Sequence, residues 1–404
     1  MERFRYIILG AGPSGLAFAH TILQAGEESF LVLEQEDIAG GLCRSTIVDG
    51  YPLDIGGGHF LDLNRGDVLE LLFRFLPSNE WRRFDRISRI RLRGREIDYP
   101  LEANLWQFPV DEQVEFLESI AQAGTVRNIP MPGSFEEWIR WKVGERIANE
   151  YMLPYNRKIW SVDLSKLGTY WLYKLPDVSF RQTLLSCFHR KPFGSIPAHA
   201  SFLYPKRHGY GEVWKRMGEA LGDRLRVSTP VESVDAERRI VNGCLSADRI
   251  ITSVPWTLWI NYPGIPEEIL KKIARLSYTS IDIEYRTETL STDAHWIYDP
   301  DERVPHHRVL CRNLFLEGSQ GHWTETNALR SGSQCDFRYR NEYAYPLNTT
   351  GKPEDIDGIL RWAEGKCIHG IGRWGTWEHM NSDVAVSGGI SAARTLLKKR
   401  ASQE

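Results

Sequence analysis

Several things are scarce in this chain. No apolar run reaches the roughly 18 residues that cross a membrane, so no spanning segment is expected. The first residues read as a folded strand rather than a cleaved signal. Six cysteines (Cys43, Cys187, Cys244, Cys311, Cys335 and Cys367) are scattered without a Cys-x-x-Cys pair. That spacing argues against a metal site or a disulfide framework and fits reduced thiols in a cytoplasmic protein. A dominant sign of charge is missing too: the net charge of −3 provides no general attraction for nucleic acid. The basic stretch from Trp81 to Arg93 alternates as strands with one solvated face do, which favours a surface over a polyanion groove. Repeats and low-complexity segments are absent. What remains is an ordinary globular composition, 42% apolar over 404 residues, long enough for two or three subdomains. Tryptophan is abundant, at 14, and those in segments that read as loops are candidates for covering a ligand.

The most informative residues come first in the chain. An apolar strand, Tyr6-Ile-Ile-Leu9, runs into Gly10-Ala-Gly12-Pro13-Ser14-Gly15, and a helix is predicted from Pro13. A second apolar run, Phe30-Leu-Val-Leu, ends at Glu34, 19 residues after Gly15. Gly10 permits the turn, Gly12 lets a pyrophosphate approach the backbone, and Gly15 lets helix and strand pack closely. The helix N-terminus then faces phosphate, and the Glu34 carboxylate is placed to accept ribose hydroxyls. A glycine turn alone also occurs in ordinary βα units. Strand, glycines, helix, strand and acid together specify a dinucleotide.

Two further glycine turns narrow the choice. Gln35 leads to Gly40-Gly41-Leu42-Cys-Arg44-Ser45, and Asp54-Ile-Gly-Gly57-Gly58-His59 follows shortly. Backbone passing close to a permanently held ligand suits FAD better than a nicotinamide that leaves each cycle; the plain alternative is two structural turns. Near the C-terminus, Gly372-Arg373-Trp-Gly-Thr-Trp377-Glu-His379-Met-Asn381-Ser-Asp383-Val384 opens a small-residue helix. There an Asp suits ribityl and phosphate hydroxyls, and the helix dipole faces the electron-rich edge of a flavin. Arg226 to Val234, including Val231, is predicted as a strand on the adenine side, and Arg249 to Val254 as another returning beside the pyrophosphate.

The expected fold is α/β: a Rossmann-type FAD-binding domain from residues 1–84, 201–262 and 365–404, an inserted helical subdomain over 110–200, and an antiparallel sheet subdomain from 85–109 and 263–364. Helices are predicted over Val110–Ala123 and Ser134–Asn149, the latter with Ser134 and Glu137 as a capping box. Pro154, Asn156, Arg157 and Lys158 are expected to break the next helix, leaving either a connector or a lid ending on Trp160. In the lid reading, Arg157 and Lys158 meet phosphate.

Together these segments resemble the flavin-dependent UDP-galactopyranose mutases, within the wider amine oxidase and protoporphyrinogen oxidase superfamily. The glycine turns belong to the superfamily. Tyr99-Pro-Leu, Pro154-Tyr-Asn-Arg-Lys-Ile-Trp160, Tyr343-Ala-Tyr345-Pro and Gly372-Arg373-Trp-Gly-Thr-Trp377 are similar to the mutases in particular. The resemblance implies an isomerase working on reduced FAD, with NAD(P)H or another reductant as electron source. N5 of the flavin attacks the anomeric carbon of a nucleotide sugar, and the sugar recloses from pyranose to furanose. It further implies His59 near N5, Arg308 and Arg373 with Tyr345 on the diphosphate and sugar, and Trp160 over the sugar. Three departures stand out. Where the family has a second diphosphate arginine this chain has Leu175, with Lys174 beside it; His379 replaces a tyrosine; and the turn before His59 has an extra glycine. These leave the nucleobase and sugar open, as is the choice between monomer and homo-oligomer. The opposing class is an FAD-dependent amine oxidase or dehydrogenase, which would need a greasy tunnel in place of the arginines.

Overall fold

The computed structural model describes residues 1–172, 177–194, 200–332 and 334–401. Its first sheet is centred on the strand Glu2–Leu9, parallel to Phe30–Leu33 on one side and to Leu245–Thr252 on the other. Phe30–Leu33 and the end of Glu2–Leu9 are covered on both faces, which is why the sequence there is an unbroken apolar run rather than an alternating one. Leu225–Arg226 extends the sheet beyond Phe30–Leu33. Beyond Leu245–Thr252 the ladder divides: its end pairs in parallel with Ile368–Gly370, and its start pairs antiparallel with Ile240–Val241. Strands from three separated stretches of chain thus share one sheet.

The strand predicted from Arg226 to Val234 is shorter than expected. It stops at Arg226, because Ser228 takes a positive φ of 48° and Pro230 has no N–H to offer a ladder. Val234–Asp235 then pairs separately with Ile240–Val241.

Seven strands form a second sheet, in the order Phe337–Pro346, Tyr278–Arg286, His322–Asn327, Arg308–Cys311, Trp296–Tyr298, Ser88–Leu92 and Arg95–Asp98. Ser88–Leu92 and Arg95–Asp98 form a hairpin that joins strands from the later stretch, 278–346. All pairs are antiparallel except one, Trp296–Tyr298 with Ser88–Leu92. Those two strands are far apart in sequence, so no tight turn dictates their direction.

Helices Val110–Ala121, Phe135–Ile147 and Phe180–His189 lie between these sheets in sequence. Ser134 caps the second by accepting the Glu137 N–H, and the Glu137 carboxylate meets the Ser134 hydroxyl rather than its backbone. Phe135, Trp138 and Ile139 are core, as their spacing predicts. The segment expected to be broken at Pro154 is instead helical: a π turn at Ala148–Met152 leads into a helix over Leu153–Trp160. Pro154 sits in the first turn, where its missing N–H costs nothing. Five tryptophans, at 214, 256, 259, 323 and 377, are fully buried packing residues rather than ligand covers. Among the described residues no helix is long and apolar enough to cross a membrane.

Helix Pro13–Gln24 packs along the C-terminal helix Ser382–Ala401 and holds the first glycine turn against the sheet. A Cβ at Gly15 would drive into the Gly10 carbonyl oxygen, whereas a Cβ at Gly12 would meet nothing within 4 Å. The two glycines therefore do different jobs. We expect Gly15→Ala to lower the unfolding free energy of ligand-free protein by about 1–3 kcal/mol in urea titrations. Gly12→Ala should change it by less than about 0.5 kcal/mol. Equal losses would show that both glycines serve packing.

Candidate active site

Two cavities meet beneath the second sheet. The first, about 360 Å³, runs over the glycine turn and is lined by Gly10, Gly12, Pro13, Ser14, Glu34, Gln35, Gly41, Leu42 and Val231, among others. The second, about 1020 Å³, lies between the sheet and the helices. It is lined by Gly58, Trp160, Arg308, Tyr345, His379, Asp383 and Val384, together with side chains discussed below. His59, Arg373, Asn381 and Ser382 border both. Gly15, Gly57 and Gly372 line neither and instead shape the backbone around them. Lys174 and Leu175 lie outside the described residues.

The narrower cavity has the features a dinucleotide needs. No side chain caps helix Pro13–Gln24, so its first N–H groups remain for an anion. Glu34 is 6% exposed and accepts the backbone N–H groups of Ala11 (2.8 Å) and Glu36 (3.0 Å). Burial raises its pKa, and those N–H groups oppose the rise. Each carboxylate oxygen keeps a further lone pair for a ribose hydroxyl. At the other end Asp383 accepts Arg65 Nε at 2.8 Å through one oxygen, while its buried Oδ1 has no hydrogen-bond partner among the described residues. A buried, unsatisfied carboxylate oxygen beside a helix N-terminus suits the hydroxyls of an extended cofactor.

At the junction, His59 Nδ1 lies 3.2 Å from the Gly57 carbonyl. Burial first, then the nearby Arg373 charge, pushes its pKa down to about 4, so the ring is neutral. A carbonyl can only accept, so Nδ1 carries the proton and Nε2 is left as an acceptor. Arg373 donates to the carbonyls of Ala344 (2.7 Å) and Met380 (2.6 Å) and lies 5.4 Å from the Tyr345 ring centroid. No carboxylate among the described residues pairs with it. Burial lowers its pKa, though a guanidinium stays protonated regardless.

Arg308 reaches the second cavity from the strand beside Glu325. Its Nε donates to Glu325 at 2.9 Å, and a second guanidinium nitrogen also bonds Glu325. The same carboxylate accepts the Gly58 N–H at 2.9 Å and faces His307 Nε2 at 3.6 Å. Burial works to raise the Glu325 pKa, but Arg308, His307 and Gly58 outweigh it and hold it at about 2. His307 is itself depressed to about 4, chiefly by burial.

The cations expected on the lid do not face this cavity. Lys158 is fully buried and donates to the carbonyls of Asp299 and Asp301, each at 2.7 Å, while Arg157 points toward Glu136 outside. Because the segment is helical, these consecutive residues splay to different sides. Trp160, 4% exposed, is pinned by its Nε1–H to Asn156 at 3.0 Å. His379 packs on Tyr345 with centroids 4.8 Å apart.

Sequence reasoning missed several wall residues. Arg86 donates to the Tyr298 hydroxyl at 2.9 Å and stacks over Tyr99 and Trp296. Tyr155 and Tyr151 complete a row of phenols, and Glu325 anchors the turn. One signal was available: strand His322-Trp-Thr-Glu-Thr-Asn327 is largely polar yet buried at every position, which marks internal partners.

Fold and cavities together define a dinucleotide-binding α/β protein with a separate, cation-bearing cavity opening onto the end of the dinucleotide groove. Comparison with known proteins agrees. The profile described as flavin containing amine oxidoreductase matches residues 13–283, and the chain belongs to that family. The chain is 22% identical to UDP-galactopyranose mutase of Mycoplasma pneumoniae over 425 residues, 98% of this chain and 97% of that one. A probable UDP-galactopyranose mutase of Klebsiella pneumoniae is likewise 22% identical over 429 residues, 100% and 97% of the two chains. Among solved structures, reduced UDP-galactopyranose mutase superposes with a TM-score of 0.87 at 23% identity, covering 98% of this chain and 94% of that one. Putrescine oxidase gives 0.65 at 18% identity over 98% and 99%. The family and the groove both imply a flavin.

Glu325 generates a pH dependence. Its folded pKa of about 2 lies below the ordinary 4.5, so the unfolded chain binds this proton more readily. The stability it supplies, on the order of 3 kcal/mol, is complete above about pH 4.5 and is lost as pH falls toward 2. In melting curves of wild type and Glu325→Gln, the wild-type advantage should shrink steadily below pH 4.5. A constant offset would mean that Glu325 is already protonated in the fold.

Proposed function

We propose that this protein is an FAD-dependent mutase that interconverts pyranose and furanose forms of a nucleotide-linked hexose such as UDP-galactose. Residues 1–84, 201–262 and 365–404 would hold the FAD, and the sheet and helical parts the sugar nucleotide. The observation that carries this reading is the meeting of the two cavities at His59 and Arg373, with Arg308 and Tyr345 immediately beyond. An apolar-substrate oxidase has no use for two buried guanidinium groups in its substrate chamber. A diphosphate does.

Reduced flavin, when bound, supplies a nucleophile at N5 for the anomeric carbon. The protein's share of the work is positioning and charge. Arg308, fixed by Glu325, keeps N–H groups for a phosphate oxygen. Arg373 adds a positive charge that no acid cancels, opposing the negative charge that builds on the departing diphosphate. Tyr345, between the two, offers a hydroxyl to the same group. His59, neutral with its proton on Nδ1, presents Nε2 as an acceptor at the border of the two cavities and helps hold the flavin edge. Trp160 and His379 enclose the sugar and exclude water.

A redox reading remains the runner-up, because the matched profile is that of amine oxidoreductases and putrescine oxidase shares the fold. Turnover separates them. Dithionite- or NAD(P)H-reduced protein should convert UDP-galactofuranose to the pyranose with no net consumption of reductant, while oxidised protein stays idle. Arg308→Ala should weaken UDP binding by about 10-fold or more while leaving the flavin spectrum intact. Peroxide release from oxidised enzyme with an amine substrate would replace the mutase reading with the redox one.

A further inference from the structure

One polar atom in the wall of the second cavity has no task in the reading above. His307 lines that cavity and is 2% exposed. Its Nδ1 is buried and has no hydrogen-bond partner among the described residues. A buried ring nitrogen left empty costs free energy, so its place calls for an occupant.

The rest of His307 is committed. Its backbone N–H donates to the Glu325 carbonyl at 3.0 Å, and its own carbonyl accepts the Asp299 N–H at 2.9 Å. The ring meets that of Tyr155 edge-on, with centroids 6.0 Å apart. Nε2 turns toward Glu325 Oε2 at 3.6 Å, the oxygen that also takes Arg308 Nε at 2.9 Å. An ionised carboxylate repels a lone pair and attracts an N–H, so the imidazole proton sits on Nε2. Nδ1 is then a bare acceptor. Burial keeps the ring neutral, which preserves that role at ordinary pH.

Glu325 also fixes where this acceptor stands. His307 and Arg308 meet one of its oxygens, and Gly58, next to the cavity junction at His59, donates to the other at 2.9 Å. On the mutase reading Arg308 holds the diphosphate, so a ligand group at His307 is one that flanks a diphosphate. In a nucleotide sugar those neighbours are the ribose on one side and the hexose on the other, and both offer hydroxyls. A hydroxyl can donate to a neutral ring nitrogen, whereas a diphosphate oxygen can only accept. We propose that His307 is a specificity-determining residue whose Nδ1 accepts one sugar hydroxyl beside the diphosphate. This assignment rests on the nucleotide-sugar reading.

Side-chain length supplies the test. An asparagine amide reaches the place of Nδ1, and a glutamine amide reaches the place of Nε2. His307→Asn therefore keeps the acceptor and drops the donor facing Glu325, while His307→Gln does the reverse. Calorimetry on flavin-loaded, chemically reduced protein measures UDP-galactose and UDP, with flavin absorbance and melting temperature as checks on folding. His307→Gln should bind UDP-galactose roughly 10-fold more weakly than wild type, and His307→Asn should stay within about 3-fold of it. A matching loss with UDP assigns the hydroxyl to the ribose, and unchanged UDP affinity assigns it to the hexose. The proposal is overturned if His307→Asn binds as weakly as His307→Gln or more weakly, since His307 then acts through Glu325 and Arg308. It is overturned equally if neither variant moves either affinity, as when a water fills the place. Should a variant fail to fold, wild type is titrated with analogues of both ligands that each lack one sugar hydroxyl. One of them should lose roughly 10-fold, and losses all below about 3-fold would remove the acceptor. If wild type binds neither UDP nor UDP-galactose, the nucleotide-sugar reading itself fails and takes this assignment with it.

Discussion

One buried carboxylate holds the chemistry of this protein in register. Glu325, 1% exposed, is gripped by Arg308 and the Gly58 N–H and faced by the His307 ring. Burying a charge is costly, and here the cost is offset by partners on two distant pieces of backbone, the His307–Arg308 pair and Gly58. The consequence is mechanical. The second sheet and the turn that bears His59 are joined through a single side chain, so the sheet cation and the cavity junction keep a fixed relation. The glycine at position 57 follows from the same constraint. Its φ is +97°, and a Cβ there would press into the Glu325 carboxylate. The turn is glycine-rich both to adopt its path and to let that carboxylate in.

Glu325 also decides what charge the cavity offers. It balances Arg308, so that guanidinium contributes directional N–H groups more than net charge. Arg373 has no such balance: two carbonyls and a tyrosine ring fix it, and its charge remains. Burial, aided by the same charge, depresses the His59 pKa, which keeps an acceptor nitrogen at the junction in place of a second cation. A chamber with one balanced and one unbalanced guanidinium attracts an anionic group to a defined position. A neutral amine gains nothing from it.

The sequence was most legible where the structure is local. Gly10, Gly12, Gly15 and Glu34 sit in one βα unit, so their spacing alone implies the groove. The apolar runs and helix periods likewise imply an α/β architecture. Legibility failed where tertiary geometry took over. Arg157 and Lys158 looked like a phosphate pair because they are adjacent, yet a helix through Pro154 sends one outward and the other under the Asp299 carbonyl. The strand expected through Val231 ended where Ser228 turned. In the sequence Glu325 is one acid in a largely polar strand; it acquires its meaning only from partners brought near by distant stretches of chain.

A shared cofactor fold says little about the reaction. Putrescine oxidase and UDP-galactopyranose mutase both superpose on nearly the whole chain, so the distinction lies in the walls facing the substrate. Those walls break the usual rules of a protein interior. A polar strand is buried at all six positions, Asp383 leaves a buried oxygen unsatisfied, and arginines stand in a chamber framed by aromatic rings. Such groups are not the simplest way to fill an interior, since apolar side chains of similar size would pack there without desolvating a charge. Departures concentrated on one surface, opposite one groove, are what a binding site leaves behind in a fold that is otherwise self-consistent. Their chemistry is set by two guanidinium groups, Arg308 and Arg373, framed by aromatic rings beside the junction of the two cavities.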